Sequence, residues 1–135
     1  MTIPELLHAS KVIAIVGLSD NPDRSSYGVA GFLIEKKGYT IIPVNPNLED
    51  WHGLKAYPTV SAIPEDIQID IVDVFRRPEY TPDVVRDVLT RKSKPKCIWL
   101  QLGIVNEEAR RLTEEAGIMF VKDHCTAIES RFLKS

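Results

Sequence analysis

The residues of this chain that could do chemistry gather in a few short segments. The richest is Gly17-Leu18-Ser19-Asp20-Asn21-Pro22-Asp23-Arg24-Ser25-Ser26-Tyr27, which leaves an apolar run and leads to Gly28. Ser19, Ser25 and Ser26 supply hydroxyl donors, and Arg24 supplies a fork of charged donors suited to phosphate oxygens. A helix starting after this loop adds free amides and a positive dipole end, a ready anion site. The same serines and Asn21 also serve as ordinary capping and turn residues. A second segment, Asp123-His124-Cys125-Thr126, joins a carboxylate, an imidazole and a thiol. A nucleophilic thiolate needs a neighbouring cation or helix N-terminus, and Asp123 could orient His124. Against this stands the common use of Cys as a small buried residue. In Phe75-Arg76-Arg77-Pro78, alternation along an extended chain points the two guanidiniums opposite ways. Arg76 is then favoured for a ligand and Arg77 for the surface. His8, His52 and His124 show no metal-ligand spacing with one another or with Cys97 and Cys125, so no metal is expected.

The elements that must position these residues alternate. Lys11–Gly17 is a continuous apolar run of the kind buried on both faces of a parallel sheet. A helix is expected from about Gly28 to Lys37, with Val29, Ala30, Leu33 and Ile34 as its apolar stripe and Gly38 at its C-terminus. Tyr39–Val44 reads as the second strand, broken by Asn45-Pro46-Asn47. Residues 48–66 are irregular, with a short strand near Lys55–Tyr57 and a helical turn opening at Ser61. Trp51 either packs over a crevice or anchors this loop. Ile69–Phe75 is the next strand. Thr81 is expected to cap a helix that has Pro82 at its first position and Val84, Val85, Val88 and Leu89 on its buried face. Lys96–Leu100 follows as a strand, with Cys97 in the core. Asn106 caps a helix with Ala109, Leu112 and Ala116 on one face, ended by Gly117. Ile118–Val121 is the last strand, and a short helix covers Ala127–Leu133. Strands separated by helices imply right-handed crossovers. The expected fold is α/β: a Rossmann-like, doubly wound parallel sheet of about five strands in three layers, with residues 1–135 as one domain.

Composition narrows the partners. With 17 basic and 19 acidic residues the net charge is −2, which speaks against nucleic acid as a partner. The longest apolar run, Val12–Leu18, falls far short of the roughly 20 residues of a membrane helix, so no membrane association is expected. Met1–Leu7 lacks a basic region ahead of an apolar one and does not read as a signal peptide. Two cysteines cannot form a disulfide framework, and a cytoplasmic location is expected.

In an open α/β sheet, ligands bind beyond the carboxyl ends of the strands, where the strand order reverses. The five exits should therefore converge on one crevice: Gly17-Leu18-Ser19, Val44-Asn45-Pro46, Phe75-Arg76-Arg77-Pro78, Gln101-Leu102-Gly103 and Lys122-Asp123-His124-Cys125. The first loop is not the G-x-G-x-x-G dinucleotide fingerprint, since Ser19 stands where the second Gly belongs and the loop is longer. The second strand ends in Asn45, where an NAD site wants a carboxylate for the ribose hydroxyls. A neutral amide tolerates a phosphorylated ribose, as in coenzyme A (3′-phosphate) or NADP (2′-phosphate).

Taken together, Gly17-Leu18-Ser19-x-Asn21-Pro22-x-Arg24, Pro43-Val44-Asn45-Pro46, Val72-Asp73-Val74-Phe75-Arg76-Arg77-Pro78, Trp99-Leu100-Gln101-Leu102-Gly103 and Asp123-x-Cys125 resemble the small stand-alone CoA-binding proteins. That family is similar to the N-terminal CoA-binding domain of the succinyl-CoA synthetase α-subunit and of NDP-forming acyl-CoA synthetases. The resemblance runs from about residue 8 to residue 131. It implies that Gly17, Ser19 and Arg24 hold the CoA phosphates and that Val44, Asn45 and Pro46 lie along the adenosine, and Leu18, Ser25 and Ser26 of the same loop are expected among the cofactor-binding residues. Phe75, Arg76 and Pro78 would border the adenine and the start of the pantetheine arm. Gln101 and Gly103 would line the groove toward the thiol, with His124 and Cys125 at its tip. Two departures stand out: Ser25 replaces a frequent Pro, and Pro46-Asn47 replaces the longer Gly-rich basic turn of the synthetases. The resemblance implies non-covalent binding of CoA or an acyl-CoA, without the phosphohistidine domain and nucleotide module that the synthetases use for catalysis. The other readings are an NADP-dependent reductase, an acyl transferase or CoA mixed disulfide using Cys125, and a CoA-sensing regulatory subunit with a protein partner or a second copy of itself.

Overall fold

The computed structural model describes residues 1–133. The elements in chain order are α1 (Ile3–Ala9), β1 (Val12–Val16), α2 (Ser25–Glu35), β2 (Thr40–Val44), β3 (Asp50–Trp51), β4 (Leu54–Lys55), β5 (Ile71–Val74), α3 (Thr81–Leu89), β6 (Cys97–Leu100), α4 (Glu107–Glu115), β7 (Met119–Val121) and α5 (Thr126–Arg131). Five strands form one parallel sheet in the order β2-β1-β5-β6-β7. This is a Rossmann-like α/β architecture, with helices on both faces of the sheet.

Alternation along each strand feeds two cores. Ile13 and Ile15 of β1, Ile71 of β5, and Cys97 and Trp99 of β6 pack with Leu6 and Leu7 of α1 and Val29, Ala30 and Leu33 of α2. Their neighbours Ala14, Val16, Val72, Val74, Ile98 and Leu100 pack on the other face with Val85 and Val88 of α3 and Ala109 of α4. Burial on both faces explains why these strands read as unbroken apolar runs.

Several boundaries differ from the sequence reading. Helix α1 was not expected, although its capping box is complete: Thr2 accepts from the Glu5 amide and Glu5 accepts from the Thr2 amide. Helix α2 starts at Ser25 rather than Gly28 because Arg24 takes the extended N-cap position, its amide held by the Asn21 carbonyl at 3.0 Å. Gly28 is simply an interior helical residue. Thr81 does not cap α3. A 3-10 turn at Pro78–Tyr80 runs into the helix, and the Thr81 hydroxyl donates to the Pro78 carbonyl at 2.7 Å. Asn106 does cap α4, accepting from the Ala109 amide at 2.9 Å. The irregular stretch contains the β3–β4 hairpin, turned at His52-Gly53 where both residues have positive φ. Tyr57 makes a single parallel bridge to Val44, and the expected turn at Ser61 is the 3-10 segment Val60–Ala62.

Two buried charges hold the scaffold. Arg91 is enclosed, and its guanidinium donates to the carbonyls of Ile63 (2.6 Å), Ile67 (3.0 Å) and Val60 (3.3 Å), fastening the irregular segment to the end of α3. Asp70 joins the starts of β1 and β5 by accepting the Lys11 and Val12 amides at 2.8 and 3.0 Å, with Lys96 Nζ at 3.3 Å. Burial alone would raise the Asp70 pKa, but the two amides and the ammonium outweigh it and leave the pKa below its ordinary value. A carboxylate held lower in the folded than in the unfolded chain adds stability above its unfolded pKa, and that stability is lost as pH falls through the folded pKa. Asp70→Asn should therefore cost about 1–3 kcal/mol at pH 7 and progressively less as pH falls below the ordinary Asp range, as read by denaturant unfolding across an acid pH series.

Candidate functional site

Strands β2 and β5 flank β1 on opposite sides, so the chain reverses its direction of winding at the exit of β1, and a crevice opens there. Gly17 forms the corner. Its amide donates to the Val44 carbonyl at 2.8 Å, and the Phe75 amide donates to the Val16 carbonyl at 2.8 Å. Gly17 has φ +84°, and a β-carbon there would lie 2.4 Å from the Phe75 carbonyl oxygen. Only glycine fits.

The loop beyond Gly17 is organised by its own polar side chains. Ser19 Oγ accepts the Asn21 amide at 3.0 Å, and Asn21 Oδ1 accepts the Asp23 amide at 2.9 Å. Asn45 Nδ2 donates to the Leu18 carbonyl at 3.0 Å, and Trp51 Nε1 donates to the Ser19 carbonyl at 2.9 Å. Ser26 Oγ accepts the Ser19 amide at 3.0 Å. Trp51 is buried and packs edge-on against Tyr27, so it anchors the loop rather than roofing the crevice. The amides of Ser25 and Ser26, in the first turn of α2, find no acceptor among the described residues.

A cleft of about 560 Å³ results, bordered by Gly17, Ser19, Arg24, Ser25, Ser26, Asn45, Phe75, Arg76, Gln101 and Cys125. A second hollow of about 360 Å³ adjoins it on the α3 side, sharing Arg76 and adding Val44 and Pro46. The sequence-selected residues are thus brought together with four exceptions, one of them His124, whose exposed ring borders neither space. Leu18 is fully buried in the core, so its side chain does not reach the cleft. Pro78 is turned into the α3 entry, where its carbonyl accepts from Thr81 and Asn106. Gly103 lies off the cleft, its amide donating to Asp123 Oδ1 at 2.7 Å. Val29, Leu102 and Ile104 line the cleft and were missed. Val29 lies one helical turn beyond Ser25-Ser26, a spacing that could have found it. The second hollow also takes Pro58, Thr59, Val60, Tyr80 and Val84, which come from the irregular segment, the 3-10 turn before α3 and α3 itself.

Two arginines line these spaces, Arg24 the cleft alone and Arg76 both. Neither Arg24 nor Arg76 lies within ion-pair distance of a carboxylate among the described residues, whereas Arg86, Arg110 and Arg111 are all paired. The Arg76 guanidinium lies 5.3 Å from the centre of the Tyr80 ring. Arg77 is exposed and borders neither space. Asp83 and Asp87 face the second hollow, but Asp83 is engaged by Arg86 and Asp87 by the Ser61 hydroxyl.

In the Asp123-His124-Cys125 segment, the carboxylate does not orient the imidazole. Asp123 bonds Gly103 rather than His124, and the exposed His124 ring meets the Lys122 carbonyl through Nδ1 at 2.6 Å. Cys125 is half-buried at the N-cap of α5 and borders the cleft. Burial pushes the Cys97 thiol up to about 12, which suits its place in the core. Asp73, quoted above only as part of a motif, is fully buried in β5. It meets the Thr126 hydroxyl at 2.8 Å, and Thr126 in turn bonds Gln101. Burial, opposed by the Thr126 bond, pushes its pKa up to about 8. Among the described residues no three His, Cys, Asp or Glu side chains gather as a metal site, and no helix is long and apolar enough to cross a membrane.

This fold and crevice define a Rossmann-like α/β domain, open at the switch point of its parallel sheet. The chain belongs to the CoA binding domain family, matched over residues 11–131. It is 43% identical to the Bacillus subtilis protein YneT over 93% of this chain and 90% of that one. A Pyrococcus horikoshii OT3 protein of known structure superposes with a TM-score of 0.86 at 35% identity, covering 94% of this chain and 86% of that one. A part of the chain, 48%, is 37% identical to the alpha subunit of ADP-forming acetate–CoA ligase II from Pyrococcus furiosus, of which the match covers 14%.

Gly17→Ala tests the corner. The added carbon must displace the Phe75 carbonyl and hold a left-handed backbone, a cost of at least about 1–2 kcal/mol. A fall in Tm is expected, and an unchanged Tm would show that β1 and β5 need no such close approach.

Proposed function

We propose that this protein binds coenzyme A or an acyl-CoA non-covalently across the cleft and its adjoining hollow, as a recognition module without turnover of its own. The observation that carries the reading is the anion site at the switch point. The unpartnered first-turn amides of α2 stand beside two arginines that no carboxylate neutralises. These groups match a diphosphate. The largely apolar second hollow at the exits of β2 and β5 suits the adenosine end, and Arg76 stands between the two spaces. The pantetheine arm then runs the other way across the sheet, past Gln101, Leu102 and Ile104 toward Cys125.

Membership of the CoA binding domain family supports the choice of ligand. So does the end of β2. Asn45 spends its amide on the Leu18 carbonyl and the Asn47 amide, and it brings no carboxylate to repel a ribose phosphate. Recognition is favoured over turnover by the tip, where His124 is engaged by the backbone and Asp123 by Gly103.

Arg24 is exposed and lies outside both cores, so Arg24→Ala should leave folding nearly unchanged. It should weaken CoA binding by about 1.5–3 kcal/mol, the range for hydrogen bonds to charged groups. Calorimetric titration paired with a thermal melt reads both quantities. Equal CoA affinity in a folded variant would remove Arg24 from the site.

A further inference from the structure

The thiol-side floor of the cleft contains a buried polar chain that the phosphate site does not use. Asp73 sits in the middle of β5, in register with Ile15 of β1 and Trp99 of β6. It is fully buried, and its Oδ1 has no hydrogen-bond partner. Its other oxygen meets the Thr126 hydroxyl at 2.8 Å. Thr126 opens α5, and its amide donates to Gln101 Oε1 at 3.0 Å, with its hydroxyl 3.1 Å from the same oxygen. An amide N–H can only donate, so the atom facing it is the carboxamide oxygen of Gln101, and the orientation of that side chain is determined. The Gln101 NH2 group must point the other way. It donates to no protein acceptor among the described residues, and Gln101 borders the cleft beside Leu102, Ile104 and Cys125.

A buried carboxylate with one oxygen unpartnered is costly, while a buried carboxylic acid is not. With a pKa pushed up to about 8 by burial, Asp73 carries its proton at neutral pH. The acid then donates to the Thr126 oxygen, and the freed Thr126 hydrogen donates to Gln101 Oε1. Each hydrogen in the chain has an acceptor. An ionised Asp73 would instead claim the Thr126 hydrogen and leave Gln101 with the backbone amide alone. The three residues form one unit whose outward result is a fixed pair of N–H donors at the cleft wall.

We propose that Gln101 is the donor by which the cleft recognises a carbonyl on the thiol-side arm of its ligand, with Thr126 and Asp73 as the positioning residues that hold the amide in that orientation. This rests on the CoA-binding reading, in which that arm carries two kinds of carbonyl: the amides of pantetheine and, in an acyl-CoA, the thioester.

Dissociation constants for CoA, acetyl-CoA and 3′,5′-ADP, which lacks the arm, test the proposal on four variants. Gln101→Glu keeps the shape and the acceptor for the Thr126 amide but faces an oxygen to the cleft. It should weaken binding of arm-bearing ligands by about tenfold or more, with 3′,5′-ADP unchanged. Thr126→Val should lose about threefold with the same selectivity, Asp73→Val should follow it, and Thr126→Ser, which keeps the hydroxyl, should restore binding. Equal losses for CoA and acetyl-CoA assign the pantetheine amide, and a loss for acetyl-CoA alone assigns the thioester. Unchanged affinities in folded Gln101→Glu overturn the proposal, as do losses that extend equally to 3′,5′-ADP. Should Gln101→Glu fail to fold, the Thr126→Val and Thr126→Ser pair decides by the same selectivity. A wild-type protein that binds neither CoA nor 3′,5′-ADP overturns the CoA-binding reading itself, and this proposal with it.

Discussion

The carbonyl of Phe75 occupies the space where a side chain at residue 17 would begin. That close approach of two backbones at the exits of β1 and β5 is the constraint on which the rest depends. It lets both strands stay in register to their last residues, through Val16 opposite Val44 and Val74, and then turn apart at once. A larger residue would force the exits apart below the point where they now diverge. The α2 N-terminus and Arg76 would then lose their common position at the mouth of the cleft. The mouth of the cleft is therefore set by a steric condition in the sheet, before any polar contact is counted.

Polar contacts then decide the shape of the loop built on that corner. Asn45 and Trp51 take up the carbonyls of Leu18 and Ser19, and Ser26 takes up the Ser19 amide. These partners, two donors and one acceptor, come from the exit of β2, from the β3–β4 hairpin and from α2, so the loop is held from three elements. The irregular segment that a quick reading would treat as filler has two structural duties. It supplies Trp51 to the loop, and it forms a wall of the second hollow, where Arg91 fixes it by carbonyl contacts. At the other side of the sheet the polar investment is of a different kind. Asp73 is enclosed in β5, with one oxygen on the Thr126 hydroxyl and the other unpartnered, and burial raises its pKa.

Much of this was legible in the residues, and the reasons are physical. Continuous apolar runs ending in Gly17, Val44 and Leu100 announced strands buried on both faces, and the rule for open sheets then located the crevice. Gly17, Arg24, Arg76, Gln101 and Cys125 followed from their places at strand exits. What failed to show was local competition. Ser25 and Ser26 read as loop because Gly28 looked like a helix start, although Arg24 fills the N-cap without any side-chain hydrogen bond. The resemblance implies Leu18, Pro78 and Gly103 in the site, but each is claimed by another contact: the core, the α3 entry and Asp123. Asp73 carried a signal in its position, a lone charge inside Val72-Asp73-Val74. Its partners Thr126 and Gln101 are distant in sequence, and no spacing rule connects them.

The central claim is that the crevice recognises coenzyme A and not merely any nucleotide suited to a doubly wound sheet. Calorimetric titration of the reduced protein with CoA, in parallel with NADP and NAD, tests it most directly. Saturable CoA binding in the roughly micromolar range, with neither nicotinamide dinucleotide bound, is the predicted result. Binding of NADP with no binding of CoA would contradict the account, leaving a shared architecture that serves a redox cofactor.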